Sequence, residues 1–214
     1  MSDRIAPRSL PTRTHRSPDY CRRQSVRSLT EMGLDQECEK LHKLLSDAGV
    51  RPTHVIGIAS AGSYVARSLV KTLDQGVVVL EIGARRRSTG VKKRLGLRHW
   101  VARLPDSYTS ELRRLEHRLI TRRLGPERDV TMCDAEVNVL RKLDGTAACL
   151  LVVDDCVDTG ASLKAVLEFV RERIDVEAAL YSAALTSTIE HPLVQPDFKL
   201  HENTQFRGPW SYDG

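Results

Sequence analysis

The chain has 214 residues, 41% of them hydrophobic and 29% charged, which bounds it at about one domain with enough apolar material for a core and excludes a wholly disordered protein. No stretch approaches the ~18 consecutive apolar residues of a membrane helix, and the N-terminus lacks an apolar signal segment, which argues for a cytoplasmic protein. The net charge of +5 hides a division: residues 1–28 carry +5, residues 84–124 carry +10, and the remainder carries −10.

Residues 1–28 are rich in Arg, Ser and Pro and poor in large apolar groups, so a disordered basic tail is expected there. Arg-rich, acid-poor character also suits a transit peptide, but Pro7, Pro11 and Pro18 oppose the amphipathic helix one would need. Leu34, Cys38, Leu41, Leu44, Leu45 and Ala48 recur at helical spacing, with Gly49 as a stop. Residues 53–59 read as a buried strand, 62–74 as a helix and 76–83 as a second buried strand. Strand, helix and strand at this length predict a βαβ unit and a parallel sheet.

Residues 84–106 have no clear period and hold Arg85-Arg86-Arg87 and Lys92-Lys93-Arg94, a basic loop. Residues 107–124 predict a helix with a narrow stripe of Tyr108, Leu112, Leu115 and Leu119 among arginines. That arm is expected to dock on the acidic body, join two subunits or meet an acidic partner, and its Arg118 and Arg122 are candidates for nucleic acid. Residues 129–143 are ambiguous. Residues 147–153 predict a central strand, 160–173 a helix and 176–185 a last strand, and the tail from His191 reads as irregular. Five cysteines without a C-x-x-C pair read as reduced thiols, and the seven histidines show no metal spacing.

The informative run is residues 150–163, where an apolar strand meets Asp154 and Asp155, then Asp158, Thr159, Gly160, Ala161 and Ser162 at a helix start. In an open parallel sheet, ligands bind beyond the carboxyl ends of the strands. A turn leading into a helix N-terminus offers backbone N–H groups to an anion, Gly160 allows close approach, and Thr159 and Ser162 add hydroxyl donors. Paired carboxylates suit the hydroxyls of a ribose instead, so one turn could hold both ends of a ribose 5-phosphate.

This run resembles the phosphoribosyl-pyrophosphate (PRPP) motif of the type I phosphoribosyltransferases, and the chain is closest to their hypoxanthine, guanine and xanthine salvage branch. The resemblance covers roughly residues 29–83 and 145–214 and implies an open, mostly parallel α/β sheet flanked by helices. It also implies a C-terminal hood and, here, a helical insertion at about 84–143, all within one domain of residues 29–214. It makes the chain an enzyme that moves ribose 5-phosphate from PRPP to a purine-like base with release of pyrophosphate. Asp158 would be the acid/base at the accepting nitrogen. Asp154 and Asp155 would hold the ribose hydroxyls and, through them or through water, Mg2+. The pyrophosphate turn would be Ser60, Ala61 and Gly62, where salvage members have a basic residue and a Gly-Gly pair, with Arg85 of the basic loop also on PRPP. Val157 and Phe198 would meet the base, Phe198 by stacking. The lysine that salvage members place after the last strand is absent from Tyr181-Ser182-Ala183, which leaves the base open. A homodimer is expected.

Other readings compete. The fold also serves PRPP-sensing regulators, whose basic segments could hold nucleic acid; the Ser60-Ala61 departure favours that reading, and Asp158 with the hood favours the enzyme. A hydrolase elbow at Ser60, with Asp154 or Asp155 and His191 or His201 in triad order, meets Ile58 where a small residue is needed. No G-x-x-x-x-G-K-[ST] run exists for a triphosphatase.

Overall fold

A computed structural model describes residues 25–86, 128–143, 148–174 and 177–210. The elements in chain order are β1 (Ser25–Ser28), α1 (Glu31–Asp47), β2 (His54–Ala59), α2 (Ala61–Val70), β3 (Val78–Arg86), β4 (Arg128–Thr131), α3 (Asp134–Arg141), β5 (Cys149–Val157), α4 (Ala161–Arg171), β6 (Ala179–Ser187), β7 (Phe198–Glu202) and β8 (Thr204–Arg207). β2 to β7 form one six-stranded sheet in the order β4-β3-β2-β5-β6-β7. Its pairings are parallel except for β3 with β4. This is the expected α/β architecture.

The strands alternate between two cores. Val55, Leu151, Val153, Ala183 and Leu185 face α1 and α2, where Leu34, Cys38, Leu41 and Leu45 supply the α1 stripe. Ile56, Ile58, Ile82, Leu150, Val152 and Ala184 face the other way, onto Leu163, Val166 and Val170 of α4 and Leu140 of α3. Burial on both faces is why these strands read as continuous apolar runs. α1 starts at Thr30, whose hydroxyl accepts from the Gly33 N–H at 3.1 Å.

Three expectations change. The basic tail was expected to run through residue 28, but Ser25–Ser28 form β1, parallel to β8. The segment after His191 is not irregular throughout, since β7 extends the main sheet beside β6 and β8 receives β1. The ambiguous 129–143 stretch resolves into the short edge strand β4 followed by α3. The arm at 107–124 and the loop from residue 87 lie outside the described residues. Among the described residues, no helix is long and apolar enough to cross a membrane.

β2 leads through α2 to β3 on one side, while β5 leads through α4 to β6 on the other. The sheet therefore switches direction between β2 and β5, and the crevice at the carboxyl ends of those strands is where an open α/β sheet takes ligands.

Candidate active site

Both turns singled out in the sequence open onto that crevice, and glycine is what lets them meet. A β-carbon on Gly62 would lie 2.6 Å from the Val153 carbonyl oxygen, 3.1 Å from Asp154 Cα and 3.3 Å from Asp154 Oδ1. The first turn of α2 thus rests on β5 where the carboxylates begin. The turn enters α2 through a cis Ala59–Ser60 peptide, and Ser60 makes no side-chain cap.

Asp154 and Asp155 belong to β5 itself, not to the loop beyond it. The Asp155 N–H donates to Asp154 Oδ1 at 3.0 Å. Burial, reinforced by the neighbouring Asp155 carboxylate, holds Asp154 well above the usual carboxylate range, and Arg128 opposes this from β4. Burial also raises Asp155. Cys156, near the end of β5, is pushed up to about 12 by burial and by the charges of Asp155, Asp154 and Asp158, so it stays a thiol.

The raised pair has a consequence for stability. The folded chain keeps protons that the unfolded chain has released, so stability is fullest below the ordinary carboxylate value and falls as pH rises through the raised ones. Asp154→Asn removes the buried charge. It is expected to stabilise the protein at neutral pH by on the order of 1 kcal/mol, or a few degrees in Tm, and to flatten that acid-side dependence. Thermal melts at several pH values check this; a lower Tm at neutral pH would count against it.

A cavity of about 120 Å³ lies beside the β5 end, lined by Arg128, Asp154, Cys156, Val157, Asp158, Thr159, Gly160, Ala161, Ser162 and Leu163. It brings together Asp154, Thr159, Gly160, Ala161 and Ser162, half of the residues expected on PRPP, with Asp158 and with Val157 expected on the base; Asp155 neighbours it on β5. Gly160 stands at φ +75°, in the left-handed region that favours glycine, and caps α4. A β-carbon there would lie 2.7 Å from the Val194 carbonyl oxygen and 2.8 Å from the Val194 nitrogen. The segment after β6 thus seats on this turn, with the Leu193 N–H donating to the Thr159 carbonyl at 2.8 Å. Gly160→Val would therefore strike the Leu193–Val194 backbone, and any lost anion binding would follow from that collision as well as from a filled cradle.

The second cavity, about 600 Å³, spans the ends of β2, β3 and β4 and is lined by Ala59, Ser60, Glu81, Gly83, Ala84, Arg85, Thr131, Met132, Cys133 and Glu136. That volume lies within the usual range of small-ligand sites. Arg85, exposed on β3, shares it with Ser60 and brings a cation to a turn that has none. Glu136 Oε1 accepts the Glu81 N–H at 2.8 Å and ties α3 to β3. Ala61 and Gly62 sit at the start of α2, with Gly62 facing β5 and Ser60 facing the cavity.

Phe198 stands apart. It pairs with Ala183, four residues before Ser187, whereas Ser187 runs level with Val157 at the carboxyl edge. At ~3.3 Å per residue the ring's strand position is about 13 Å from that edge. Phe198 instead packs on the α1/α2 core, its ring 6.1 Å from that of Tyr181. The adjoining Asp197 explains the Pro-Asp-Phe run: its Oδ2 accepts from the Ser182 N–H at 2.8 Å and the Ser182 hydroxyl at 2.7 Å, which fastens β7 to β6. Phe198→Ala is accordingly expected to cost about 2 kcal/mol of stability, part of the Phe→Ala range for a half-buried ring. Denaturant melts should register that loss, while binding of PRPP and of a base should change together or not at all.

Arg128 and Thr188 were not among the sequence candidates. Arg128 reaches Asp154 because α4 packs against β4, and Thr188 reaches Asp158, donating to its Oδ1 at 3.0 Å. No local pattern marks either residue. Among the described residues, no three His, Cys, Asp or Glu side chains gather as a metal set.

Comparisons with solved structures agree on the fold. The chain is similar to a purine phosphoribosyltransferase from Pyrococcus horikoshii Ot3, with a TM-score of 0.56 at 18% identity over 87% of this chain and 93% of that one. It is similar to the xanthine-guanine-hypoxanthine phosphoribosyltransferase of Helicobacter pylori, with a TM-score of 0.53 at 18% identity over 88% and 95%. A hypothetical protein from Neisseria gonorrhoeae with bound ppGpp also superposes, with a TM-score of 0.54 at 16% identity over 89% and 92%. No curated protein sequence matches the chain. The family model for the phosphoribosyl transferase domain matches residues 29–180. With that match over most of its length, and a type I fold shared with purine phosphoribosyltransferases, the chain belongs to the phosphoribosyl transferase domain family and is by class a PRPP-dependent transferase.

Proposed function

We propose that the protein transfers ribose 5-phosphate from PRPP to a ring nitrogen of a purine-like base and releases pyrophosphate. The observation that carries this reading is the seating of Gly62 on Asp154, which joins the Ser60–Gly62 turn to the Asp154–Ser162 run at the sheet's switch point. Asp154 and Asp155 accept the ribose hydroxyls. Hydroxyl donors stabilise the charged carboxylates and so oppose the burial that raises the pair. Thr159, Gly160, Ala161 and Ser162 hold the 5-phosphate at the start of α4. Ser60, Ala61, Gly62 and Arg85 hold the pyrophosphate on the side of the larger cavity. Val157 and the segment after β6 border the base, and Asp158 takes the proton that the accepting nitrogen gives up.

The donor set fits Mg2+. That ion prefers oxygen ligands and is usually held by one or two carboxylates plus substrate phosphates. Asp154 and Asp155 offer two adjacent carboxylates, and no larger set is present among the described residues. When bound, Mg2+ would neutralise charge on the departing pyrophosphate. The homodimer, a cytoplasmic setting and any hold on nucleic acid through the basic segments belong to the same reading.

The test is PRPP- and Mg2+-dependent consumption of hypoxanthine, guanine, xanthine and adenine by the purified chain, with pyrophosphate measured as co-product. Consumption of one base with equimolar pyrophosphate is expected. Binding of PRPP with no turnover of any base would replace the enzyme with a sensor. Sedimentation of the same sample reads the dimer.

A further inference from the structure

Asp158 stands one residue past β5, and Thr188 stands one residue past β6. The two strands end level, Val157 against Ser187. The Thr188 N–H donates to the Val157 carbonyl at 3.1 Å and adds one rung beyond the ladder. That bond fixes the Thr188 backbone, and a β-branched side chain has few χ1 choices left. The hydroxyl then falls 3.0 Å from Asp158 Oδ1, to which it donates.

Cys156 of β5, two residues before Asp158, also neighbours the Thr188 hydroxyl. Segments around it are tied down as well: Ser187 Oγ donates to the Ile189 carbonyl at 3.1 Å, and the Leu193 N–H holds the Thr159 carbonyl.

We propose that Thr188 is the positioning residue of Asp158: its hydroxyl holds one carboxylate oxygen and turns the other toward the accepting nitrogen of the base. This rests on the reading of Asp158 as the proton acceptor. An aspartate has two soft torsions, and a carboxylate displaced by about 1 Å can lose on the order of a hundredfold in rate.

The experiment uses the full chain with PRPP, Mg2+ and the four bases as acceptor probes, and compares Thr188→Val, Thr188→Ser, Asp158→Asn and the Thr188→Val/Asp158→Asn double variant. Thr188→Val is expected to lower kcat about ten- to a hundredfold while KM for PRPP stays within about twofold. Thr188→Ser keeps the hydroxyl and is expected to restore kcat to within about threefold of the parent. The double variant is expected to be no slower than Asp158→Asn alone, because the clamp acts only through that carboxylate. Crystal structures of the parent and Thr188→Val should show the Asp158 carboxylate turned away in the variant.

Parent-like kcat in Thr188→Val with Asp158 unmoved overturns the proposal. So does equal slowing by Thr188→Ser, or additive losses in the double variant. A Thr188→Val that raises KM for PRPP and lowers Tm while kcat holds would make Thr188 a structural support of the 188–194 segment and overturn it too. Parent-like turnover in Asp158→Asn removes the reading on which the proposal rests, and the proposal with it. If no base is consumed by the parent, the transferase reading fails on that panel and the crystal pair still decides whether Thr188 orients Asp158. Should Thr188→Val fail to fold, Thr188→Ala against Thr188→Ser supplies the same contrast.

Discussion

Asp158→Asn is expected to retain PRPP binding and to lose about 10²–10⁴-fold in kcat, the usual range for removing a positioned acid or base. The substitution is clean for a structural reason. Asparagine keeps an oxygen that can still accept from Thr188, whose hydroxyl stands 3.0 Å from Asp158 Oδ1. The turn and the segment after β6 should therefore stay in place, and what disappears is the capacity to take a proton. Calorimetry with PRPP and steady-state kinetics with the accepted base separate the two effects. Parent-like kcat would remove Asp158 from the chemistry.

Gly62→Ala is expected to have the largest effect on the protein as a whole. The added methyl would lie 2.6 Å from the Val153 carbonyl oxygen and 3.1 Å from Asp154 Cα, both backbone positions in the central strand. Neither can give way as a side chain would, so α2 must lift from β5. Overpacking of this kind costs about 2–3 kcal/mol, or about 5–10 °C in Tm for a chain of this size. The lifted turn also separates Ser60 from Asp154, so activity should fall even where the protein is still folded, on the order of a hundredfold per ångström of misplacement. Gly33→Ala is the control. Its β-carbon would meet only side-chain atoms at 3.5 Å, and it should leave both Tm and activity nearly unchanged. Equal effects from the two glycines would show that the contact with β5 is not the cause.

The sequence discloses most where structure and chemistry share one contiguous run. Residues 150–163 combine an apolar strand, carboxylates, a turn and a helix start, and each part is legible locally because each obeys its own period or residue preference. β7 and β8 escape notice because Phe198–Glu202 and Thr204–Arg207 are too short for their alternation to stand out in an otherwise irregular tail; they are strands because β6 and β1 lie beside them. The Pro196-Asp197-Phe198 run invites an aromatic base contact, yet the Asp197 carboxylate spends itself on Ser182 and the ring goes to the core. Thr188 and Arg128 are illegible in principle from spacing, since one is placed by strand register and the other by α4 lying against β4.

The pairing of β1 with β8 brings the two ends of the described chain together, with Ser25 Oγ donating to Thr204 Oγ1 at 3.0 Å across 179 residues of separation. A contact of that sequence distance carries nearly the full loop-closure entropy of the chain and gains little apolar burial in return, since every residue of β1 is exposed. It should therefore be among the last contacts to form and the first to open. In hydrogen exchange the amides of Val26 and Arg27 should turn over far sooner than those of Val152 and Val153 in the central strand. During synthesis β1 has no partner until β8 has emerged, so this pairing closes only once the rest of the described sheet is in place.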